Sequence, residues 1–289
     1  MDNQILKIKI PATDGYHLAA TVYGSGQKVV IVNPATAVPQ GLYRRFATFL
    51  MTHGFRVITY DYRGIADSAP DSLRGFQATF SEWGLLDMQG VLDWVWAEYE
   101  PTSLVMVGHS AGGQLLGMLK GNERIDTAVT MSSQSGYWGL QGGNQPLIVR
   151  FQVTVLMPLI ARTFGYFPWS KLGSAEDLPL GAALEWCRWC RDPQYLLGDD
   201  SLPLDRYQQF KVPILAYSVD DDDWGTAKSV RAMMSAYPNV SFEHIVPFDY
   251  DIDSLGHMGY FKRKSERIWH NTLAWINQHV GDVQMSQPA

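Results

Sequence analysis

The sequence predicts an α/β protein: a mostly parallel eight-stranded sheet flanked by helices, opened by an antiparallel hairpin and interrupted once by an inserted cap. Three observations carry this. Two segments with period-two alternation flank a turn signal at the start, six short continuous apolar runs rich in Val and Ile follow, and stretches with apolar residues three and four apart separate those runs. The 289 residues, 46% hydrophobic and 18% charged, suit one large globular domain with an extra element and are too apolar for a disordered chain.

The opening segments are 5–10 and 17–23, joined through Asp14-Gly15, a strong hairpin signal. The apolar runs are 29–33, 56–60, 104–107, 127–131, 214–217 and 241–246, each reading as a strand buried on both faces. Helical spacing marks 42–53, 81–98, 111–120, 226–236 and 264–280. Between about Ser135 and Phe210, aromatic and Pro-rich segments such as Gly165-Tyr-Phe-Pro-Trp169 replace this rhythm. The expected organisation is therefore a core of residues 1–134 and 211–282, an inserted cap at 135–210 and a loose tail at 283–289.

Composition removes several classes of function. A net charge of −6, with no basic cluster longer than Lys262-Arg263-Lys264, lacks the footprint a phosphate backbone requires, so no nucleic-acid partner is expected. The first ten residues alternate charged and apolar and have no signal-peptide pattern, which points to the cytoplasm. The run from Leu147 to Tyr166 is interrupted by Arg150, Gln152, Pro158 and Arg162. Its uninterrupted part falls short of the roughly 20 residues that span a bilayer, so no stable membrane insertion is expected. A flap that touches lipid or a greasy substrate fits it. Cys187 and Cys190 share a helix face and lack the further ligands of a zinc site, so they read as ordinary thiols.

The chemistry centres on Gly108-His109-Ser110-Ala111-Gly112, placed directly after a strand and before a helical stretch. A serine on such a turn sits at strained backbone angles with its hydroxyl exposed, and the flanking glycines leave room for the neighbouring strand and helix. The Ala111 N–H at the start of the helical stretch favours developing negative charge. His109, locked on the turn beside Ser110, cannot swing round to take the serine proton, so its expected role is packing.

With this motif the sequence resembles the α/β-hydrolase superfamily, in particular the esterase, monoacylglycerol-lipase and serine-aminopeptidase-like group. Asp61-Tyr-Arg-Gly-Ile-Ala-Asp-Ser68 is similar to that family's D-x-R-G-x-G-x-S turn, with Ala66 in place of a glycine. The resemblance implies the α/β-hydrolase fold, a Ser-acid-His order and no cofactor or metal. Ser110 is then the nucleophile. The acid falls in Asp220-Asp221-Asp222-Asp223 after the strand ending at Ser218. Alignment on the family's G-x-x-D turn selects Asp221, and slips of one residue give Asp220 or Asp222. A solvated charge run or a calcium site is the other reading of four adjacent aspartates. His257, in Gly256-His-Met-Gly-Tyr-Phe261, matches the loop that carries the family's base.

The second oxyanion donor is expected from Asn33-Pro-Ala-Thr36. Pro34 has no N–H, which leaves the Ala35 amide, with Thr36 as runner-up, to act beside Ala111. Thr36, Tyr137, Trp138 and Trp224 are candidate substrate contacts. The aromatic residues of 135–210, Tyr166, Phe167, Trp169, Trp186 and Trp189 among them, form either an acyl-binding wall or the cap's own core. The implied activity is hydrolysis of a small-molecule carboxylic ester through an acyl-enzyme. Thioester, acylglycerol and peptide N-terminal hydrolysis are alternatives, the last calling on Glu176, Asp177 or Glu185 to hold an ammonium group. A non-catalytic ligand-binding relative is the alternative of another class.

Overall fold

The computed structural model describes residues 4–280 apart from 143, 144, 172 and 174; the expected tail at 283–289 lies outside the described residues. Eight strands form one sheet: β1 (Ile5–Pro11), β2 (His17–Tyr23), β3 (Lys28–Asn33), β4 (Arg56–Tyr60), β5 (Ser103–His109), β6 (Thr127–Met131), β7 (Ile214–Val219) and β8 (Val240–Ile245). Their order is β1-β2-β4-β3-β5-β6-β7-β8, with β2 antiparallel to β1 and β4 and every other pair parallel. The hairpin turns at Asp14-Gly15, where Gly15 takes φ +85°, a conformation that favours glycine. β3, β5, β6 and β7 are buried almost throughout, as continuous apolar runs require.

Successive residues feed opposite faces. Val30, Val32, Val105 and Val107 pack with the helices Arg44–Thr52 and Glu266–His279, while Ile31, Met106 and Ala128 join a larger core on the other side. Because β4 lies outside β3 and β5 lies inside it, the chain reverses its winding between adjacent β3 and β5. Their carboxyl ends come level, Asn33 opposite Gly108. A crevice opens at such a reversal. β6 brings Met131 level with His109 on one side and Tyr217 on the other.

The stretch read as a helix over 111–120 is broken in two: an α-turn at Ala111–Gln114, then a 3-10 turn at Leu115–Met118. Its cause is a side chain. The Tyr237 hydroxyl donates to the Gly113 carbonyl at 3.0 Å and accepts the Gly117 N–H at 2.9 Å, standing between the two groups that a regular helix would pair.

Between β6 and β7 no strand joins the main sheet among the described residues. Helices fill this segment, with a small ribbon pairing Tyr166–Phe167 and Leu178–Pro179. Arg150, Gln152, Pro158 and Arg162 break the apolar sequence of the run without ending its helix. Pro146–Phe164 is one 19-residue helix of mean hydropathy 1.5, long and apolar enough by those measures to cross a membrane. A wide π-type segment at Gln152–Leu156 precedes Pro158, and such local widening accommodates a proline's missing N–H. Cys187 and Cys190 are buried on the neighbouring helix Leu180–Cys190, and burial pushes the Cys187 thiol up to about 12.

Candidate active site

Ser110 ends the β5 turn with φ +50° and ψ −111°, a strained conformation for a residue with a Cβ. Its N–H donates to the Met131 carbonyl at 2.9 Å, and its carbonyl accepts from the Gly113 and Gln114 amides. Glycine is required on both sides. A Cβ on Gly108 would lie 2.5 Å from the Gly113 backbone, and one on Gly112 would lie 2.1 Å from the Asn33 carbonyl oxygen. The turn therefore packs backbone to backbone against β3 and its own helix. Ser110 is buried to 6% exposure, and its hydroxyl donates to the Gln134 side-chain oxygen at 3.3 Å.

His257 lies in the loop after β8, and its Nδ1 is 2.8 Å from an oxygen of Asp222. This corrects the expectation for Asp221. In the turn after β7 the Asp222 amide folds back to the Val219 carbonyl at 3.2 Å, and its carboxylate accepts the Gly225 and Trp224 amides at 2.8 and 3.0 Å. That conformation turns residue 222 inward, its side chain 1% exposed, and leaves Asp221 on the outside. Asp221 instead accepts the Ser254 hydroxyl at 2.6 Å and the Leu255 and Gly256 amides at 2.9 Å, bracing the loop that leads to His257. Asp220 pairs with His244 at 3.3 Å. Burial raises the Asp222 carboxyl, but the hydrogen bond and charge of His257 and the Gly225 amide outweigh it, holding the group at about 2. Opposite a carboxylate, Nδ1 carries the proton, and Nε2 is the nitrogen left to accept one.

His109 does more than pack. Its Nε2 is 2.9 Å from the His257 carbonyl, which can only accept, so Nε2 carries the proton and Nδ1 accepts the Tyr43 hydroxyl at 3.0 Å. Burial, then the neighbouring His257, hold its pKa down at about 3, and the ring stays neutral. Tyr43 in turn accepts the Ala35 amide at 2.8 Å. The expectation that Ala35 serves as oxyanion donor is thereby corrected, because its N–H is spent on a buried phenol. The Thr36 and Ala111 amides meet no protein acceptor among the described residues.

Of the aromatic candidates, Trp224 donates its backbone N–H to Asp222 and stacks its ring on Trp186 at 6.1 Å; Trp186 stacks in turn on Trp169 at 5.8 Å. Trp189 and Phe167 are buried in the core. The Tyr137 and Trp138 rings lie tilted at 56° with centroids 5.3 Å apart, and the Arg150 guanidinium stands over Trp138. The carboxylates weighed for an ammonium group are partly committed: Glu185 accepts the Ser81 amide at 2.7 Å and Asp177 the Ser170 amide at 2.9 Å. Sequence reasoning missed Gln134, Tyr43 and the bridging role of His109. Neither the period of the 42–53 stretch nor the Gly-x-Ser-x-Gly spacing assigns Tyr43, His109 or Gln134 a polar partner, and only the tertiary fold brings these partners together.

The sequence profile of the alpha/beta hydrolase family matches residues 29–266. Among solved structures, the chain is similar to the Pyrococcus furiosus esterase Pf2001, with 15% identity, 96% of this chain and 93% of that one covered, and a TM-score of 0.60. It is likewise similar to an Exiguobacterium antarcticum esterase, with 16% identity, coverage of 94% and 99%, and a TM-score of 0.63. A thermophilic esterase from Thermogutta terrifontis has 17% identity, coverage of 96% and 100%, and a TM-score of 0.60. A search of curated proteins gives no match.

Proposed function

The chain belongs to the alpha/beta hydrolase family, and on that premise we propose that it is a serine hydrolase that cleaves carboxylic esters through an acyl-enzyme. The observation that carries this reading is the strained Ser110, on the same sheet edge as a His257 whose Nδ1 is held by the buried Asp222 carboxylate and whose Nε2 is free to take a proton.

In the proposed mechanism the Ser110 hydroxyl leaves Gln134 and turns to His257 Nε2 as substrate enters. A bond of this kind commonly forms only in the loaded site. The serine oxygen attacks the ester carbonyl and His257 takes its proton. Asp222 holds the imidazole tautomer and stabilises the imidazolium. The Ala111 and Thr36 amides receive the oxyanion, the imidazolium protonates the departing alcohol, and water repeats the sequence on the acyl-enzyme. His109 fixes the height of the His257 backbone against the serine turn. Thr36, Tyr137, Trp138 and Trp224 are proposed to contact the acyl or alcohol portion, with the stacked Trp224–Trp186–Trp169 rings forming an apolar wall.

Ester substrates are favoured over peptide N-termini because Glu185 and Asp177 already accept backbone amides, leaving Glu176 as the remaining carboxylate of the three. The test pairs a fluorophosphonate probe with two chromogenic panels, p-nitrophenyl esters and amino-acid p-nitroanilides. We expect rapid labelling, turnover of the esters, and loss of both in Ser110→Ala by several orders of magnitude. Undiminished ester turnover in Ser110→Ala would refute the mechanism, and preference for the anilides would refute the substrate class.

A further inference from the structure

Among the described residues, seven of the ten large hydrophobic side chains left exposed lie on the single helix Pro146–Phe164. The helix is apolar on two sides. Val149, Val153, Met157 and Ala161, four apart, form the ridge buried against the fold. Leu147, Phe151, Val155 and Leu159, also four apart, form a second ridge that is 71%, 57%, 46% and 62% exposed. Residues at that spacing share one helix face. A contiguous apolar face of this kind marks a surface that meets a partner.

Charge identifies the partner. No Asp or Glu occurs between Asp126 and Glu176, although the chain holds 29 acidic residues and a net charge of −6. That stretch instead carries Arg150, Arg162 and Lys171, all exposed and none in an ion pair among the described residues. Two of the three stand beside aromatic rings, Arg150 at 5.1 Å from Trp138 and Lys171 at 5.7 Å from Phe164. A locally cationic, acid-free apolar helix on an acidic protein complements a negatively charged apolar interface. A second copy of the chain does not fit as well: in a two-fold contact each Arg150 and Arg162 would face its own kind, with no Asp or Glu on the same helix to neutralise it.

The geometry also fixes the mode. The inner ridge is packed into the core, and the chain leaves the helix into the ribbon at Tyr166–Phe167. We propose that Pro146–Phe164 lies in the plane of an anionic phospholipid surface, with its outer ridge in the acyl–headgroup boundary and Arg150, Arg162 and Lys171 at the lipid phosphates. The proposal is independent of the chemistry at Ser110.

The test is co-sedimentation of the full chain with vesicles of phosphatidylcholine alone or mixed equally with phosphatidylglycerol. The wild type should bind the mixed vesicles and bind pure phosphatidylcholine far more weakly. The exposed-ridge variant Leu147→Ser/Phe151→Ser/Leu159→Ser should lose binding with its thermal unfolding unchanged. Arg150→Gln/Arg162→Gln, which keeps the ridge, should weaken binding roughly tenfold or more. Lack of sedimentation of the wild type at millimolar anionic lipid would overturn the proposal, as would equal binding by the charge variant. A dimer in light scattering that the ridge variant abolishes, without vesicle binding by the wild type, would assign the face to a second copy instead.

Discussion

The imidazole of His109 donates to the backbone carbonyl of His257 at 2.9 Å, so the residue before the candidate nucleophile anchors the loop of the candidate base. Through Tyr43 the same ring reaches the Ala35 amide, and one neutral histidine thus ties together the loops after β3, β5 and β8. Its neutrality has a thermodynamic consequence. The folded ring titrates at about 3, whereas an unfolded histidine takes a proton near about 6.5. Between those values the unfolded chain holds the extra proton, so this group's contribution is complete above about pH 6.5 and is lost as pH falls toward 3. Replacing His109 with Gln should flatten the dependence of unfolding free energy on pH between about 5 and 6.5 by up to about 1.4 kcal/mol per pH unit. Urea unfolding of both proteins across that range measures it; identical slopes would show that His109 does not titrate in this way.

Asp222 and Asp221 are adjacent, yet only the former meets the imidazole. Asp222→Asn should lower ester turnover by about 10³ to 10⁴-fold, the size of effect seen when the orienting acid of a serine triad loses its charge. Asp221→Asn, which weakens the bonds from the Ser254 hydroxyl and the Leu255 and Gly256 amides, should keep turnover within about tenfold. Steady-state rates on one p-nitrophenyl ester decide between them, and the reverse order would return the acid role to Asp221. The acid limb of stability carries the same signature. The Asp222 carboxyl sits at about 2 in the fold and near about 4 in the open chain. It therefore contributes about 2 to 3 kcal/mol that is present above pH 4 and lost as pH falls through 2.

How much of this was legible in the sequence follows from how local each signal is. Asp14-Gly15 and the apolar runs specify the hairpin and the strands within a few residues, and the structure places all eight where the pattern does. Gly108-x-Ser110-x-Gly112 carries its own steric explanation, since each glycine avoids a specific backbone clash. The choice between Asp221 and Asp222 is different in kind. It depends on which carboxylate the turn after β7 aims inward and on a partner 35 positions later, and four identical residues offer no pattern to separate them. The Ala35 amide was lost to Tyr43 for the same reason: the competing acceptor arrives through tertiary packing. Pro158 reads as a helix breaker in isolation, and the π-type segment that accommodates it is visible only in the backbone.

Arg63, in the turn after β4, carries no chemistry but holds that turn to the hairpin and to the segment around Asp87. Its Nε meets Asp87 at 2.7 Å and its two terminal nitrogens meet Asp14 at 2.8 Å, with the Arg63 and Asp87 side chains only 5% and 0% exposed. Burial pushes the Asp87 carboxyl up and Arg63 opposes it. Arg63→Met should cost about 3 to 5 kcal/mol in denaturant unfolding, because it strands a buried acid. Adding Asp87→Leu should recover part of that loss. A double variant as unstable as the single one would mean that packing, and not the orphaned carboxylate, sets the cost.

The Tyr237 hydroxyl offers a test of why the helix after Ser110 is split. It satisfies the Gly113 carbonyl and the Gly117 amide at once, and the Tyr207 ring leaves no room at Gly117, where a Cβ would approach to 2.3 Å. Tyr237→Phe removes the hydroxyl and keeps the ring. Two buried backbone groups then either go unpaired or close on each other as a regular helical turn. Since the Tyr207 hydroxyl holds the adjacent Gln114 carbonyl at 2.8 Å and so keeps this turn in its present course, the first outcome should dominate, with a loss of about 1 to 3 kcal/mol for each group left unsatisfied. The Ser110 turn itself is fixed by the Met131 carbonyl and by Gly108 and Gly112, so probe labelling of Ser110 in Tyr237→Phe should stay within severalfold of the wild type. Unchanged stability would mean that the helix rewinds freely and that the hydroxyl is not what divides it.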